Sequence, residues 1–577
     1  MAHRLCAAWR VGVAIAALGT WSLAALAGAD VNVSINANVS AASPISPYVY
    51  GINSLSSSVS SQMGNHVGLD RMGGNRWTAY NWENNASNAG SDWGPYSNDG
   101  YLSQSNVPGQ AVRDGITRDQ GLGTGTIVTV PIVDYVAADK SGLVSQSQFA
   151  ITPGLTTYAR FNVNLARSDT PSGPVNTSDK YVYQDQFVHW VESTFPETTR
   201  PFPIFYCLDN EPGLWPYTHP EVHQAAPKYA EMLSRTIDFA SMIKDQAPDA
   251  LVFGPVTYGW NEMIDLQGAS DANNRDYFNF YLDSMKAAET TEGHRLLDVL
   301  DIHWYPEAQD QAGSRVIDLN GPSLTASQIQ AVVQAPRTYW DPSYIEKSWI
   351  GQYYAGYQGI PGIQLIPRLR TQIASHYPGT KIAITEHYPG GGRHIAGGIA
   401  QADSLGIWGR EGVFAATFWD YTGNSPFILG GYQCYLNYDS AGSMVGDLAL
   451  PTVDSDTTQT SAYAMRSSTD PSKLWIVAIN KTAAAITAHV TIANGASYNS
   501  YKVYRLTSSA QTPQYASTNP MSGSVINYSM PAYSVSTLEL SAPASPTYSL
   551  SITDGSVTEG NAGTKNETFT VTLTPTP

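Results

Sequence analysis

Two glutamates stand where acid–base chemistry would need them. Phe205-Tyr206-Cys207-Leu208-Asp209-Asn210-Glu211-Pro212 is an apolar run ending in polar groups, and Pro212 stops any regular continuation. Lys381-Ile382-Ala383-Ile384-Thr385-Glu386-His387 repeats the plan, with Glu386 at the end of the run. If both runs are parallel strands of one barrel, their C-terminal ends face the same mouth. Two carboxyl groups facing each other there are the machinery of glycoside hydrolysis, one donating a proton and one acting as nucleophile or base. Asn210 adds an amide that can hydrogen-bond a sugar hydroxyl. A single Glu at a strand end is explained as well by solvation or a salt bridge. The matched pair, with Asn-Glu-Pro after one strand, favours catalysis. A retaining enzyme would hold the two carboxyl groups about 5–5.5 Å apart.

The elements that would carry these residues recur along the chain. Short apolar runs lie at Tyr48–Ile52, Thr126–Val133, Pro203–Leu208, Ala250–Val256, Val299–Tyr305, Lys381–Thr385 and Val413–Trp419, with a weaker one at Gly68–Gly73. Helical period separates several of them. In Pro227–Ala247, Tyr229, Met232, Leu233, Ile237, Ala240 and Ile243 fall three and four apart. Runs buried on both faces and alternating with helices predict parallel strands in βαβ units. Eight units predict an α/β fold, a TIM-like (β/α)8 barrel over residues 45–430, with Glu211 and Glu386 after its fourth and seventh strands. A doubly wound open sheet is the structural alternative, but no G-x-G-x-x-G follows an early strand.

Beyond about Gly430 the helical period stops. Alternating runs such as Leu474–Ile479, Ala488–Ile492, Tyr501–Leu506 and Val535–Leu540 predict a β-sandwich over 431–541. The strand within residues 30–44 has no helix after it and is expected to join that sandwich. Residues 542–547 read as a Pro-rich linker. Residues 548–577 carry two further strands around Glu559-Gly560-Asn561-Ala562-Gly563, too few to close a sandwich.

Composition narrows the partners. Across 577 residues, 31 Lys+Arg against 48 Asp+Glu give a formal charge of −17, which disfavours phosphate backbones and anionic membrane surfaces, so neither nucleic acid nor membrane is an expected partner. Few charges and many Tyr and Trp suit a neutral, flat-faced ligand such as a sugar. Arg4 and Arg10, the apolar run Val11–Ala27 and Ala27-Gly28-Ala29 form the pattern of a secretory signal over residues 1–29, so a secreted, extracellular protein starting at Asp30 is expected. Cys207 and Cys434 remain after the signal and cannot make a disulfide framework. Cys207, inside an apolar run, reads as a small buried hydrophobe.

At the glutamates the sequence resembles a known family. Leu208-Asp209-Asn210-Glu211-Pro212-Gly213-Leu214-Trp215, with Thr218-His219-Pro220, is similar to the acid/base motif of glycoside hydrolase family 44. The stretch from Arg71-Met72-Gly73-Gly74-Asn75-Arg76-Trp77 to Asp92-Trp93 resembles that family's N-terminal signature. Thr385-Glu386-His387-Tyr388-Pro389-Gly390-Gly391-Gly392 and Gly397–Asp403 resemble its nucleophile region. The likeness runs from about Asp30 to Ser541. It implies a secreted, retaining endo-β-1,4-glucanase acting on xyloglucan and cellulose-type glucans, with a TIM-like barrel and a sandwich built from both ends of the chain. It also implies Glu211 as acid/base and Glu386 as nucleophile, with Asn210, Asn75 and Arg76 as sugar-binding or carboxylate-binding groups. His387 departs from the Tyr expected after the nucleophile, although a His there could still orient a carboxylate. The final segment, from Ser549, resembles the start of a Calx-beta module and is expected to be loosely ordered and outside catalysis.

Further residues follow from the chemistry. Arg76 is the candidate cation for keeping Glu386 ionised, while Glu211 should hold the higher pKa. His303 and Trp304 close the sixth strand and are expected at the mouth, with core packing as the alternative for Trp304. Trp82, Trp93, Trp215, Tyr258, Trp260, Trp419 and Tyr421 lie in loops or at strand ends, where Trp215, Tyr258 and Trp419 in particular are expected to stack on sugar rings; loop packing is the alternative for each. His219-Pro220-Glu221-Val222-His223 differs in order from H-E-x-x-H, and zinc is not assigned to it. No organic cofactor is required. The family resemblance allows structural Ca2+, but no ligand position carries over, so no metal residue is named. A monomer is expected. The rival readings are a xylanase or mannanase on the same barrel, or a non-catalytic polysaccharide-binding protein.

Overall fold

A computed structural model describes residues 30–91, 96–151, 158–352, 362–543 and 549–574. The signal expectation for 1–29 and most of the 542–547 linker therefore lie outside the described residues, as does Trp93.

Eight parallel strands close into a barrel: Gly51–Asn53, Leu69–Met72, Gly125–Val130, Ile204–Leu208, Val252–Thr257, Val299–Trp304, Lys381–His387 and Ala415–Phe418. They are the eight runs expected from the sequence. The barrel's own filling is Leu69, Ile127, Phe205, Cys207, Phe253, Val256, Val299, Ala383 and Ala415, one or two from each strand but the first. Because side chains alternate along a strand, this layer fixes which later residues point inward. From Leu69 the parity reaches Arg71, and from Val299 it reaches Asp301 and His303.

The sandwich packs beside the barrel. Val31–Asn36 pairs parallel with Ile486–Ala493 and antiparallel with Thr452–Asp454, so the first strand after residue 30 does join the distal domain. Its alternating burial places Val31, Val33 and Ile35 on a second core with Leu474, Ile476 and Leu538. The opposing sheet has seven strands, running from Ser43–Pro44 to Ala510–Pro520.

Two helices separate the layers. Ile395–Glu411 is buried on every side from Ile395 to Gly409, and Pro426–Leu436 is almost entirely buried too. The expected end of helical structure near Gly430 thus needs correction, since the second helix continues to Leu436. An element buried all round carries no amphipathic period, which is why neither helix is visible as one in the sequence. The ion pair of Lys481 Nζ and Asp403 Oδ2, at 2.9 Å, joins sandwich to helix out of water. The Tyr463 hydroxyl donates to Asp403 Oδ1 at 2.6 Å beside it.

The two expected C-terminal strands, Ser549–Ile552 and Val571–Thr574, pair antiparallel with every residue exposed. Among the described residues no helix is long and apolar enough to cross a membrane.

Candidate active site

Glu211 follows the fourth barrel strand through an irregular turn. Asp209 and Glu211 both take left-handed backbone conformations, at φ 66° and 46°. For residues with a Cβ this costs energy and persists only where the surroundings over-determine it. Asp209, fully buried, supplies part of that: its carboxylate accepts the N–H groups of Ile132 at 2.7 Å and Asn210 at 2.8 Å. The Glu211 N–H donates to the Val256 carbonyl at 3.0 Å.

Glu386 reaches the interior by a different device. Strict alternation from Ala383 would turn Thr385 and His387 inward and Glu386 outward. The register of the seventh strand shifts after Ile384 on both sides, so His303 pairs with Glu386 and Phe418 with His387. A bulge of this kind re-aims the side chains after it. Thr385 stays inside, its hydroxyl donating to Asp301 at 2.7 Å, and Glu386 turns to the mouth. His387 points out against Ile395–Glu411, with Gln401 at 3.3 Å and the Trp408 ring at 4.6 Å. The expectation that His387 could orient a catalytic carboxylate is therefore corrected: its partners lie outside the barrel.

The two carboxyl groups meet over the sixth strand. One oxygen of each, with a ring nitrogen of His303, lie within 4.8 Å of one another. His303 Nδ1 is 2.8 Å from Glu211 Oε1 and 3.6 Å from Glu386 Oε2. Burial pulls the His303 pKa down to about 3, so the imidazole is neutral and donates from Nδ1. Tyr305, one alternation further, donates its hydroxyl to Glu386 Oε2 at 2.8 Å. Burial and the two glutamates hold that phenol far above its usual range, as a neutral donor.

The cation on Glu386 is Arg71, whose Nη1 lies 2.7 Å from Oε1 with no solvent exposure. Burial opposes its charge, but Glu386 and other acidic groups around it more than compensate, and the guanidinium titrates above its ordinary value. Its Nη2 donates to Asn210 Oδ1 at 2.9 Å, which fixes the amide so that Nδ2 faces Asn75, 3.3 Å away. A Cβ on Gly73 would lie 2.2 Å from Arg71 Nη1, so that position has room only for glycine. The assignment of Arg76 to Glu386 is corrected. Arg76 follows the strand instead of lying in it, pairs with Asp99 at 2.5 Å and stacks on Tyr101 at 4.4 Å.

Above the glutamates lies an open cleft of about 410 Å³. Of the expected contacts, Asn75, Asn210, Tyr258, Trp304 and Trp419 line it, together with Trp260 and Tyr421. Trp215 does not. It is fully buried against His223, with ring centroids 5.1 Å apart, because the short helix Trp215–Thr218 turns its indole down into the loop packing. Trp82 is likewise core, stacked on Phe187. His219 is buried with Nδ1 2.9 Å from Glu221 and Nε2 2.9 Å from the Asn75 carbonyl, and His223 pairs with Glu231 at 2.7 Å. Both histidines brace loops.

The cleft holds residues not singled out from the sequence: Glu307, Arg315 and Trp349, from the long connection after the sixth strand. Glu307 accepts from Arg315 and from the Trp349 indole, each at 3.0 Å. Arg71 had a partial signal: it is an arginine inside a strand run, where a charge has no place without a partner.

Similarity to known proteins agrees with this geometry. The sequence profile of glycoside hydrolase family 44 matches residues 86–308. Endoglucanase A of Paenibacillus lautus is 37% identical over 532 residues, covering 89% of this chain and 73% of that protein. The beta-mannanase/endoglucanase A of Caldicellulosiruptor saccharolyticus is 35% identical over 511 residues, which is 84% of this chain but 37% of that longer protein. A family 44 xyloglucanase from Paenibacillus polymyxa, solved with xyloglucan, superposes with a TM-score of 0.82 at 34% identity, covering 89% of this chain and all of that one. The match to the Paenibacillus lautus enzyme over 73% of its length at 37% identity, with the eight-stranded barrel and its paired glutamates, places this chain in glycoside hydrolase family 44.

Proposed function

We propose that the protein is a retaining endo-β-1,4-glucanase acting on xyloglucan and cellulose-type glucans, with Glu386 as nucleophile and Glu211 as acid/base. The observation that carries this reading is the approach of their oxygens to within 4.8 Å, in contrasting surroundings. Inverting enzymes need about 6.5–9.5 Å to admit a water between the carboxyl groups. Arg71 and Tyr305 present a positive and a neutral donor to Glu386. His303 occupies Glu211 Oε1, so the proton to be transferred belongs on Oε2.

In the first step Glu386 attacks the anomeric carbon and Glu211 protonates the departing glycosidic oxygen. In the second, Glu211 takes a proton from water, which attacks the same carbon and frees Glu386. Asn210 and Asn75 line the cleft with both glutamates, and in this reading their amides hydrogen-bond the hydroxyls of the bound sugar. Trp349 and Tyr421, 40% and 53% exposed at the cleft's edge, offer ring faces beyond the central sugar, as internal cleavage of a polymer requires.

No organic cofactor enters these steps. Structural calcium would need six to eight oxygen ligands. Among the described residues the converging set of three acidic or histidine side chains is Glu211, His303 and Glu386. A guanidinium and an imidazole already engage those carboxylates, so the set suits catalysis and not calcium. Secretion with cleavage before Asp30 is part of the proposal and is checked by N-terminal sequencing of the natural product; a monomer is checked by sedimentation.

Reducing-end release from xyloglucan, carboxymethyl-cellulose, xylan and mannan, measured beside Glu386→Ala, tests the reading. Activity on the two glucans that is lost in the variant is expected. Activity confined to mannan, which the name of the Caldicellulosiruptor relative makes worth including, would keep the mechanism and replace the substrate. Binding without release on any of the four would leave a polysaccharide-binding protein.

A further inference from the structure

Glu262 is a fully buried carboxyl group next to the site with no place in the chemistry above. It sits on the short helix Trp260–Asp265 that follows the fifth strand. One oxygen accepts the N–H of Gly213 at 2.8 Å and the other accepts the N–H of Tyr258 at 2.7 Å. Gly213 is two residues past Glu211, within the single 3-10 turn Pro212–Leu214. Tyr258 lines the cleft. A Cβ on Gly213 would lie 2.7 Å from the Glu262 carboxyl carbon, so the turn and the carboxyl group are in direct contact.

Glu211 itself is left-handed, and so is Val256, whose carbonyl receives its N–H. Two strained residues lean on each other, and such a junction keeps one geometry only if something else fixes it. Glu262 is placed to do so, because each of its oxygens holds one of the two segments. We propose that Glu262 is the positioning residue for the acid/base: it clamps the Glu211 turn to the end of the fifth strand and so sets where the Glu211 proton is delivered. This rests on the acid/base role proposed for Glu211. Glutamine cannot replace the clamp fully, since its NH2 group would face one of the two N–H donors whichever way it turned.

The test separates delivery of a proton from general damage. A phenyl leaving group needs protonation, and a 2,4-dinitrophenyl one does not. Values of kcat/KM for phenyl and 2,4-dinitrophenyl β-cellotrioside are compared for the full chain and for Glu262→Leu, Glu262→Gln and Glu211→Ala. The expectation is a loss of about tenfold or more on the phenyl substrate with Glu262→Leu, a smaller loss with Glu262→Gln, and less than about threefold for either on the dinitrophenyl substrate. Equal losses on both substrates, or none, while Glu211→Ala discriminates between them, would overturn the role of Glu262 alone. If Glu211→Ala itself fails to discriminate, the acid/base reading fails first. Should Glu262→Leu not fold, Gly213→Ala strains the same contact from the other side and is expected to show the same leaving-group contrast.

Discussion

Two of the ion pairs that lie out of water in this protein do different things. Arg71–Glu386 sits at the barrel mouth, and Lys481–Asp403 sits in the seam between barrel and sandwich. In the seam, Tyr463 donates to Asp403 and Lys481 donates to the Thr457 carbonyl, beside the strand Lys473–Asn480 and the helix Ile395–Glu411. At the mouth, Asp301, His303 and Glu211 crowd the pair, a bulge aims one partner, and a cleft opens above it. A buried pair closed off from any cleft fixes two elements together. The same pair beside further ionisable groups and an open face is a site where charge can be moved. Burial alone does not distinguish them.

The sharpest way to separate the two is to remove one cation from each. Arg71→Met leaves Glu386 without its positive partner, and kcat/KM on xyloglucan is expected to fall by about 10²–10³. A loss under about fivefold would mean the pair only holds the barrel together. Lys481→Met should lower unfolding stability by about 3–5 kcal/mol in denaturant melts, as removal of one partner from a buried pair does. The activity of the molecules that remain folded should stay within about twofold; a fall in kcat with unchanged stability would erase the distinction.

The dependence of stability on pH reports the rest of the buried charge. Burial raises the carboxyl pKa of Asp301 and Glu346 to about 7 and of Glu83 and Asp119 to about 8. Between about pH 4, where such groups titrate in the unfolded chain, and pH 8, the folded state therefore binds more protons, and stability falls as pH rises. Below pH 4 the sign reverses, because Glu231 is lowered to about 2, with Asp139 and Asp439 also lowered. Thermal melts should peak in the mildly acidic range; a midpoint that climbs from pH 5 to pH 8 would contradict this. The smallest effect belongs to Arg76→Met. It pairs with Asp99, stacks on Tyr101 and is not among the described residues lining the cleft, so kcat should change by less than about threefold.

The contrast also explains what could be read from the sequence. The eight barrel strands were visible because each is a short apolar run, and the glutamates because polar residues end two of those runs. Arg76, the cation named from the sequence, follows the second barrel strand, whereas Arg71 lies inside it. The parity that sends Arg71 inward needs the strand's register, which the structure supplies. The bulge at Thr385 is invisible in one sequence, so Glu386 could be named while the outward turn of His387 could not. Trp215 and Trp419 look alike as loop tryptophans, and only the path of the chain decides that one fills a core and the other a cleft. The helices Ile395–Glu411 and Pro426–Leu436 lack a polar face because two layers cover them, so no period marks them.

The central claim is that a covalent bond forms between the sugar and Glu386. Incubation with an activated 2-deoxy-2-fluoro-β-cellotrioside, which slows the second step more than the first, followed by peptide mass measurement, tests it directly. The account predicts the added mass of the fluorosugar on the peptide containing Glu386, and none on that containing Glu211. Full turnover of the probe with no trapped species and an inverted product, or an adduct on another residue, would contradict it.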